Sequence, residues 1–239
     1  MTENLYSTEG HPFAGFEKER LISFLKGRGL DYDPAITDTV AIVDENTNEV
    51  VATGSMSGII LKCVAVSESY HGQGLLSEIM SWQYETLGAR GITHFIGFTK
   101  PQNVGVFSHM GLHEVVRTEH IIFLENREGA FRKWLRSLQQ DRDERLRKVW
   151  AEQESQLPET DREKTACHKK IAEEILQEVW EASADLGKPE TTRLGGYLIR
   201  AEQIPTYFIK DKEHAEEYCR ELERCLKDTV RDALMSNSV

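Results

Sequence analysis

Basic residues are scarce in this chain of 239 residues, in which 29 lysines and arginines stand against 40 aspartates and glutamates for a formal net charge of −11. Such a charge makes the average field around the protein repulsive toward polyphosphate backbones and anionic lipid headgroups. Nucleic acids and membrane surfaces are therefore not expected partners. A small anionic ligand remains compatible, because a few backbone amides in one loop can bind it locally.

Long apolar runs and closely spaced cysteines are also missing. No segment approaches the roughly 18 apolar residues that a membrane span needs, and the N-terminal MTENLYSTEGHPF has no basic stretch followed by an apolar one. The four cysteines, Cys63, Cys167, Cys219 and Cys225, form no C-x-x-C pair, which favours a reducing compartment. We interpret the chain as cytoplasmic, neither exported nor membrane-embedded.

The first part of the chain shows helix and strand patterns in turn. Apolar residues at helical spacing predict a helix over about residues 14–28. The segments 39–44 (TVAIVD) and 50–54 (VVATG), on either side of the turn-forming ENTNE, predict a β-hairpin. The nearly continuous apolar run 59–66 (IILKCVAV) is typical of a strand buried on both faces.

A glycine loop, SESYHGQG, follows that strand and leads into a helical pattern over LLSEIMSWQYETLGARG. Further along, the patterns predict a strand over residues 92–98, a short helix after Pro101, and a strand over residues 114–124. A strand that continues through a helix into another strand is typical of a parallel pair. The sequence therefore predicts an α/β sandwich for this part of the chain.

The composition changes after the predicted domain boundary, which we place between Asn126 and Ala130 and which divides the chain into domains 1–128 and 129–239. From Phe131 the residues are highly charged with sparse apolar positions, which predicts a long amphipathic or bridging helix. A capping box at residues 160–163 opens another helix. Residues 197–210 are predicted to be strand, interrupted at Pro205, before a last helix.

Three tryptophans of this second region, Trp134, Trp150 and Trp180, are large apolar anchors. Two interpretations are open for the helices that carry them. Either they pack against the first domain of the same chain, or they hold a partner protein, since tryptophan is enriched where interfaces gain most of their energy.

The glycine loop is the best candidate for a binding site. Gly72 and Gly74 lie between a buried strand and a helix, so the backbone can turn tightly and direct several amide hydrogens to one point. With the positive end of the helix dipole, these donors favour a phosphate group, and Ser77 adds a hydroxyl. The alternative is a turn that only caps the helix.

Two segments carry a resemblance to a known family. V-A-V-S-E-S-Y-H-G-Q-G-L-L followed by N-V-G-V-F-S-H-M-G-L resembles the core of the GNAT N-acetyltransferases, and residues 16–138 are similar to the N-terminal domain of citrate (pro-3S)-lyase ligase. The resemblance implies a GNAT-like mixed sheet flanked by helices, followed by a mainly helical region, with acetyl-CoA or CoA as the cofactor. It assigns the cofactor to Val64, Ala65, Val66, His71, Gly72, Gln73, Gly74, Leu75, Leu76, Ser77 and Phe107.

Within that assignment, the amides of residues 72–76 hold the pyrophosphate and residues 64–66 line the pantetheine arm. The sequence departs from the family pattern at His71, where arginine or glutamine is common, and at Leu76, where a small residue is common. Phe107 stands where many of these enzymes carry a tyrosine that protonates the leaving thiolate, and phenylalanine has no proton to donate.

Glu68 and His71 are the polar candidates for a general base, because burial would tune either side chain to accept a proton from an amine. The alternative is that both are ordinary solvated loop residues. His109 and His113 are separated by Gly111, which is expected to end a helix, so we interpret them as surface histidines and predict no metal site.

The resemblance to citrate (pro-3S)-lyase ligase implies a second domain that adenylates acetate with ATP and a lyase subunit as the protein acceptor. Such domains carry H-x-G-H, which none of the eight histidines forms, and no G-x-x-x-x-G-K-S/T loop replaces it. Residues 199–211 nevertheless resemble a later piece of that domain. Three hypotheses follow: an acyltransferase that binds acyl-CoA, a ligase-related protein for which ATP is not predicted from this chain alone, and a non-catalytic docking protein.

Overall fold

The computed structural model describes residues 4–153, 156, 158, 160–185 and 212–236. For residues 180–185 it describes the backbone alone. The predicted strand at 197–210 and the ligase-like segment 199–211 lie outside the described residues. The chain divides into two compact units. The first holds the residues up to Glu128 and the start of the last helix through Leu222, and the second begins at Gly129 and holds the rest of that helix.

A seven-stranded sheet forms the first unit, in the order β1-β2-β3-β4-β5-β7-β6. Strands β4 and β5 run parallel, and the other neighbouring strands run antiparallel. The strands are β1 (Leu5–Gly10), β2 (Asp38–Asp44), β3 (Glu49–Ser57), β4 (Ile60–Val66), β5 (Ile96–Thr99), β6 (His113–Arg117) and β7 (Ile122–Glu125). The helices are α1 (Gly15–Gly27), α2 (Leu75–Ala89) and α3 (Val104–His109). The predicted mixed α/β sheet flanked by helices is confirmed.

Helices α1 and α2 cover opposite faces of the sheet. Successive side chains of a strand point to opposite sides, so neighbouring residues of β2 show which helix covers which face. Ala41 of β2 packs in one core cluster with Leu21 and Leu25 of α1. Its neighbours Val40 and Ile42 pack in another cluster, with side chains of α2. The two faces of β2 are therefore both buried, as a nearly continuous apolar strand requires.

Three strand predictions need correction. Strand β5 begins at Ile96 rather than at residue 92, because its pairing with β4 starts at Ile60 and the earlier residues have no partner there. Residues 114–124 form two strands instead of one, since the Thr118 hydroxyl accepts the Ile121 amide at 2.9 Å and closes a turn. The edge strand β1 was missed because most of its residues are polar or small.

Strand β4 carries a β-bulge and then separates from β5. Thr53 pairs with Ala65 and Ser55 with Lys62, so one residue of β3, Gly54, lies opposite two residues of β4. The ladder between β4 and β5 consists of Ile60↔Ile96 and Leu61↔Gly97. Beyond that second pair the edge of β4 that faces β5 has no strand partner.

Gly54 lets α2 approach the sheet closely, and this contact yields a stability prediction. A Cβ atom at this position would lie 2.3 Å from Cγ2 of Ile79 and 3.1 Å from the amide of Gln83. Overpacking of this kind costs about 1–3 kcal/mol, so Gly54→Ala is expected to lower the free energy of unfolding by that amount in urea titrations.

Gly97→Ala is the matched control for that substitution, because its Cβ would meet only Leu61 Cβ at 3.7 Å, an ordinary contact. Combining Gly54→Ala with Ile79→Ala should show a favourable coupling energy, since the colliding methyl group is removed. Equal losses of stability for the two glycine variants would contradict the proposed close packing.

The second unit is helical in its described part, with α4 (Ala130–Gln153), α5 (Asp161–Asp185) and the end of α6 (Lys212–Met235). The capping box is confirmed at the start of α5, where the Thr160 hydroxyl accepts the Glu163 amide at 3.4 Å. Trp134 is buried, whereas Trp150 is 38% exposed with its ring tilted against His168. The side chain of Trp180 lies outside the described residues.

Across the described ranges, no helix combines the length and the apolarity that crossing a bilayer would require.

Candidate functional site

A cavity of about 800 Å³ lies where β4 and β5 have separated, and it is lined by these strands, by the glycine loop and by the starts of α2 and α3. Both candidate bases, Glu68 and His71, line it. Gln73 does not appear in its wall, whereas the other residues assigned to the cofactor do: Val64, Ala65, Val66, His71, Gly72, Gly74, Leu75, Leu76, Ser77 and Phe107.

The loop between β4 and α2 turns toward the cavity through two glycines. Gly72 has φ +77° and Gly74, the N-cap of α2, has φ +84°. Side chains other than glycine rarely adopt this left-handed region. A Cβ atom added at either glycine would meet nothing within 4 Å, so the space in front of this backbone is open.

Five amide hydrogens of the loop and first helical turn have no acceptor among the described residues, and they belong to Gly72, Gly74, Leu75, Leu76 and Ser77. The first intrahelical bond at this end runs from the Glu78 amide to the Gly74 carbonyl at 3.1 Å. Free donors at the positive end of a helix attract an anion. The amide of Gln73 differs, because it lies 3.4 Å from the Tyr70 carbonyl.

Glu68 and His71 lie at the rim of the cavity. The Glu68 side chain is 87% exposed, and its Oε1 lies 3.6 Å from Nη1 of Arg28. The Nε2 of the exposed His71 donates to the Val66 carbonyl at 3.2 Å, since a carbonyl oxygen can only accept. This bond leaves Nδ1 of His71 as the basic nitrogen. Burial, on which the general-base hypothesis relied, is absent at both residues, and their catalytic role stays a prediction.

Two aromatic residues of the cavity wall, Phe107 and Tyr70, are poor candidates to protonate a leaving group. Phe107 lines the cavity, in the place where the family commonly has tyrosine. Tyr70 also lines it, but its hydroxyl donates to Oδ2 of Asp44 at 2.5 Å. This bond raises the pKa of Tyr70 above its ordinary value and lowers the pKa of the half-buried Asp44. The Tyr70 hydroxyl therefore keeps its proton, which is engaged in the hydrogen bond to Asp44.

Sequence analysis missed several residues of the cavity wall, above all Arg28, Lys62, Cys63, Lys100 and Asn103. Three of these are cationic, and among the described lining residues only Glu68 is acidic. Cationic side chains thus outnumber acidic ones in the cavity wall, in a chain whose net charge is −11. The lysine inside the apolar run IILKCVAV was the one visible sign, because a charge in a buried strand needs a partner.

Cys63 lines the cavity without being a nucleophile. Its Sγ donates to the Asp31 carbonyl at 3.7 Å, and burial raises the pKa of its thiol to about 12. With such a pKa only about one thiol in 10⁴ is ionised at pH 8, and the thiolate is the reactive form. The cavity therefore does not support covalent catalysis through this cysteine.

Thiol labelling checks this conclusion. At pH 8 in the native protein, Ellman's reagent is expected to modify Cys167 and Cys225, which are partly exposed. Cys63 and Cys219, both buried, should stay unmodified until denaturant is added, because burial raises the pKa of Cys219 as well, to about 11. Peptide mapping after alkylation assigns the sites, and rapid modification of Cys63 in the native state would refute its burial.

The two histidines considered as a metal pair occupy separate elements. His109 ends α3 and His113 begins β6, with Gly111 at φ +84° between them. Within the described ranges, no group of three or more His, Cys, Asp or Glu side chains is arranged to hold a metal ion.

These features define a class of protein. The mixed sheet, in which β4 and β5 run parallel and then diverge beside a glycine loop at a helix N-terminus, has the arrangement that the resemblance to GNAT N-acetyltransferases implies. An acyl-CoA N-acyltransferase from Pseudomonas aeruginosa covers 52% of this chain with 13% identity and a TM-score of 0.44.

Sequence comparison extends the likeness to one group of enzymes. The chain is 30% identical over 104 residues to citrate (pro-3S)-lyase ligase of Klebsiella pneumoniae. The matched region covers 41% of this chain and 29% of the relative. Its counterpart in Escherichia coli K12 is 23% identical over 216 residues, or 80% of this chain and 59% of the relative. The chain thus spans less than two thirds of the length of either relative. No family model matches the chain.

Proposed function

We propose that the first unit binds acyl-CoA and transfers its acyl group, or presents it, to an amine or thiol. The free amide hydrogens of residues 72 and 74–77, beside the cavity between β4 and β5, carry this proposal. A diphosphate accepts several hydrogen bonds at once and carries the charge that a helix N-terminus stabilises.

The residues present fit the rest of the cofactor. Because β4 has no partner on its β5 side beyond Leu61, backbone groups of residues 64–66 are available to the amides of a pantetheine arm. Acyl-CoA would supply an activated thioester at the inner end of that arm. His71 through Nδ1, or Glu68, would take the proton of the acceptor, and Phe107 would provide an apolar wall.

Calorimetric titration tests the proposal directly. Acetyl-CoA and CoA are each expected to bind once per chain with a Kd of about 10⁻⁴ M or tighter, about 5.5 kcal/mol or more at 25 °C. ATP is the control, since it carries an adenine nucleotide without pantetheine. An absence of binding heat at millimolar CoA and acetyl-CoA would defeat the proposal.

A ligase-related activity is the second candidate, and the similarity to citrate (pro-3S)-lyase ligases favours it. That activity needs ATP and acetate as substrates and a lyase subunit as the acetyl acceptor. The sequence carries neither H-x-G-H nor a P-loop for the nucleotide. Release of pyrophosphate from ATP upon addition of acetate would support this candidate over the first.

A further inference from the structure

A buried cation in the cavity wall, Lys62, has no role in the binding of acyl-CoA described above. Lys62 lines the cavity, and its side chain is only 2% exposed. It directly follows Leu61, which forms the last pair between β4 and β5. Val66, where β4 ends before the loop, lies four residues further along the chain, beyond the β-bulge. Lys62 is therefore placed at the inner end of the cavity, away from the loop expected to hold phosphates.

The ammonium group of Lys62 has donors to spare. A lysine carries three N–H donors and no acceptor. Asp33 accepts one of them through Oδ2, and among the described residues no other acceptor lies within hydrogen-bond distance of Nζ. A buried donor without an acceptor costs free energy. Ligand oxygens that enter the cavity would recover that free energy.

Arg28 adds a second cation to the wall. It is the C-cap residue of α1 and lines the same cavity. The carboxylate near it, that of Glu68, lies 3.6 Å away and is 87% exposed, so it neutralises the guanidinium only weakly. Arg28 therefore adds positive charge at the rim of the cavity, beside Glu68, whereas Lys62 is the cation of the inner end.

We propose that Lys62 forms a carboxylate subsite at the reacting end of the cavity. The inference rests on the proposed acyl-CoA function and names the substrate class for it. The carboxylate belongs either to the acyl group, as in a dicarboxylic acyl-CoA, or to the acceptor, as in an amino acid. Both sources present the same chemistry to Lys62, and the experiment separates them.

The first arm tests whether the carboxylate belongs to the acyl group, by measuring the Kd of succinyl-CoA and of acetyl-CoA by calorimetry. The second arm measures CoA release from acetyl-CoA with β-alanine as the acceptor or with β-alaninamide, which keeps the amine and lacks the carboxylate. We expect a preference of at least about tenfold for the carboxylate, about 1.4 kcal/mol, in one of the two arms. Lys62→Met should remove the preference and leave the Kd of CoA unchanged.

Two further variants keep the result interpretable. Lys100→Met removes a cationic lining residue outside the subsite and should keep the preference. Asp33→Asn combined with Lys62→Met removes both charges of the buried pair. This double variant replaces Lys62→Met if the single variant fails to unfold cooperatively, because a lone Asp33 carboxylate is costly.

Two results would overturn the subsite. One is a wild-type protein that binds CoA yet shows no carboxylate preference in either arm, and the other is a preference that survives Lys62→Met. If no CoA compound binds, the acyl-CoA proposal itself has failed. Ligand-observed NMR with succinate and succinamide then decides the subsite alone: succinate binding lost in Lys62→Met supports it, and an absence of succinate binding overturns it.

Discussion

Gly74→Asp is expected to weaken the binding of CoA by at least about 100-fold, a loss of about 2.7 kcal/mol. A Cβ atom at Gly74 would lie in open space, and its neighbours in the chain, Gly72 and residues 75–77, carry the free amides. The new carboxylate would place a negative charge where the diphosphate is expected and would accept the same hydrogen bonds. Calorimetry with CoA measures the change.

Gly91→Asp provides a matched control at the other end of α2. Gly91 also has a positive φ, +73°, and a Cβ atom there would also meet nothing within 4 Å. The two variants therefore carry comparable backbone strain, but Gly91 does not line the cavity. Gly91→Asp should bind CoA like the wild type. Equal affinities of the two variants would show that the loop does not hold the phosphates.

The largest effect on stability is expected at Asp38, where Asp38→Asn should lower the free energy of unfolding by about 3 kcal/mol at pH 7. The buried carboxylate accepts two bonds from Arg90, at 2.8 and 2.6 Å, and one each from Thr37 and His11. An amide keeps the shape but presents hydrogens to Arg90. The expected loss of stability is moderate for a buried carboxylate, because its partners Arg90 and His11 are partly exposed to water.

The same network predicts how stability depends on pH. Hydrogen bonds from Arg90, His11 and Thr37 hold the pKa of Asp38 below its ordinary value although burial opposes them. A lowered pKa contributes stability that is complete above the unfolded pKa, about 3.9, and is lost as the pH falls below it. The difference between wild type and Asp38→Asn should therefore be smaller at pH 3 than at pH 7.

Urea unfolding at both pH values measures this difference, with Glu19→Gln as a control that removes an exposed carboxylate from the same unit. The control should change the free energy of unfolding by less than about 0.5 kcal/mol. A difference for Asp38→Asn that grows on acidification would contradict the assigned network.

Much of the first unit could be predicted from the sequence, because strong local patterns there agree with the final fold. The apolar periodicity of α1, the hairpin of β2 and β3, and the run that became β4 each depend on residues close together in the chain. Strand β1 could not be found this way. Its polar residues are held by pairing with β2, more than 30 residues away, as at Leu5↔Asp44.

In the candidate site, too, some features could be predicted from the sequence and others could not. The glycine loop and its free amides were predictable, since two glycines before an amphipathic helix specify a backbone with unpaired donors. The exposure of Glu68 and His71 was not, because burial depends on what packs around a side chain. Nor could the buried pair of Lys62 and Asp33 be foreseen, since its members are 29 positions apart in sequence.

By itself, the sequence determined most helices and strands of the first unit, the resemblance to GNAT acyltransferases and the position of a loop suited to phosphate. These follow from local periodicity and from glycine, which act over a few residues. Only the tertiary structure decided that β4 and β5 diverge after two pairs and that Lys62 and Arg28 line the resulting cavity. Such facts depend on contacts between distant segments, which local patterns do not encode.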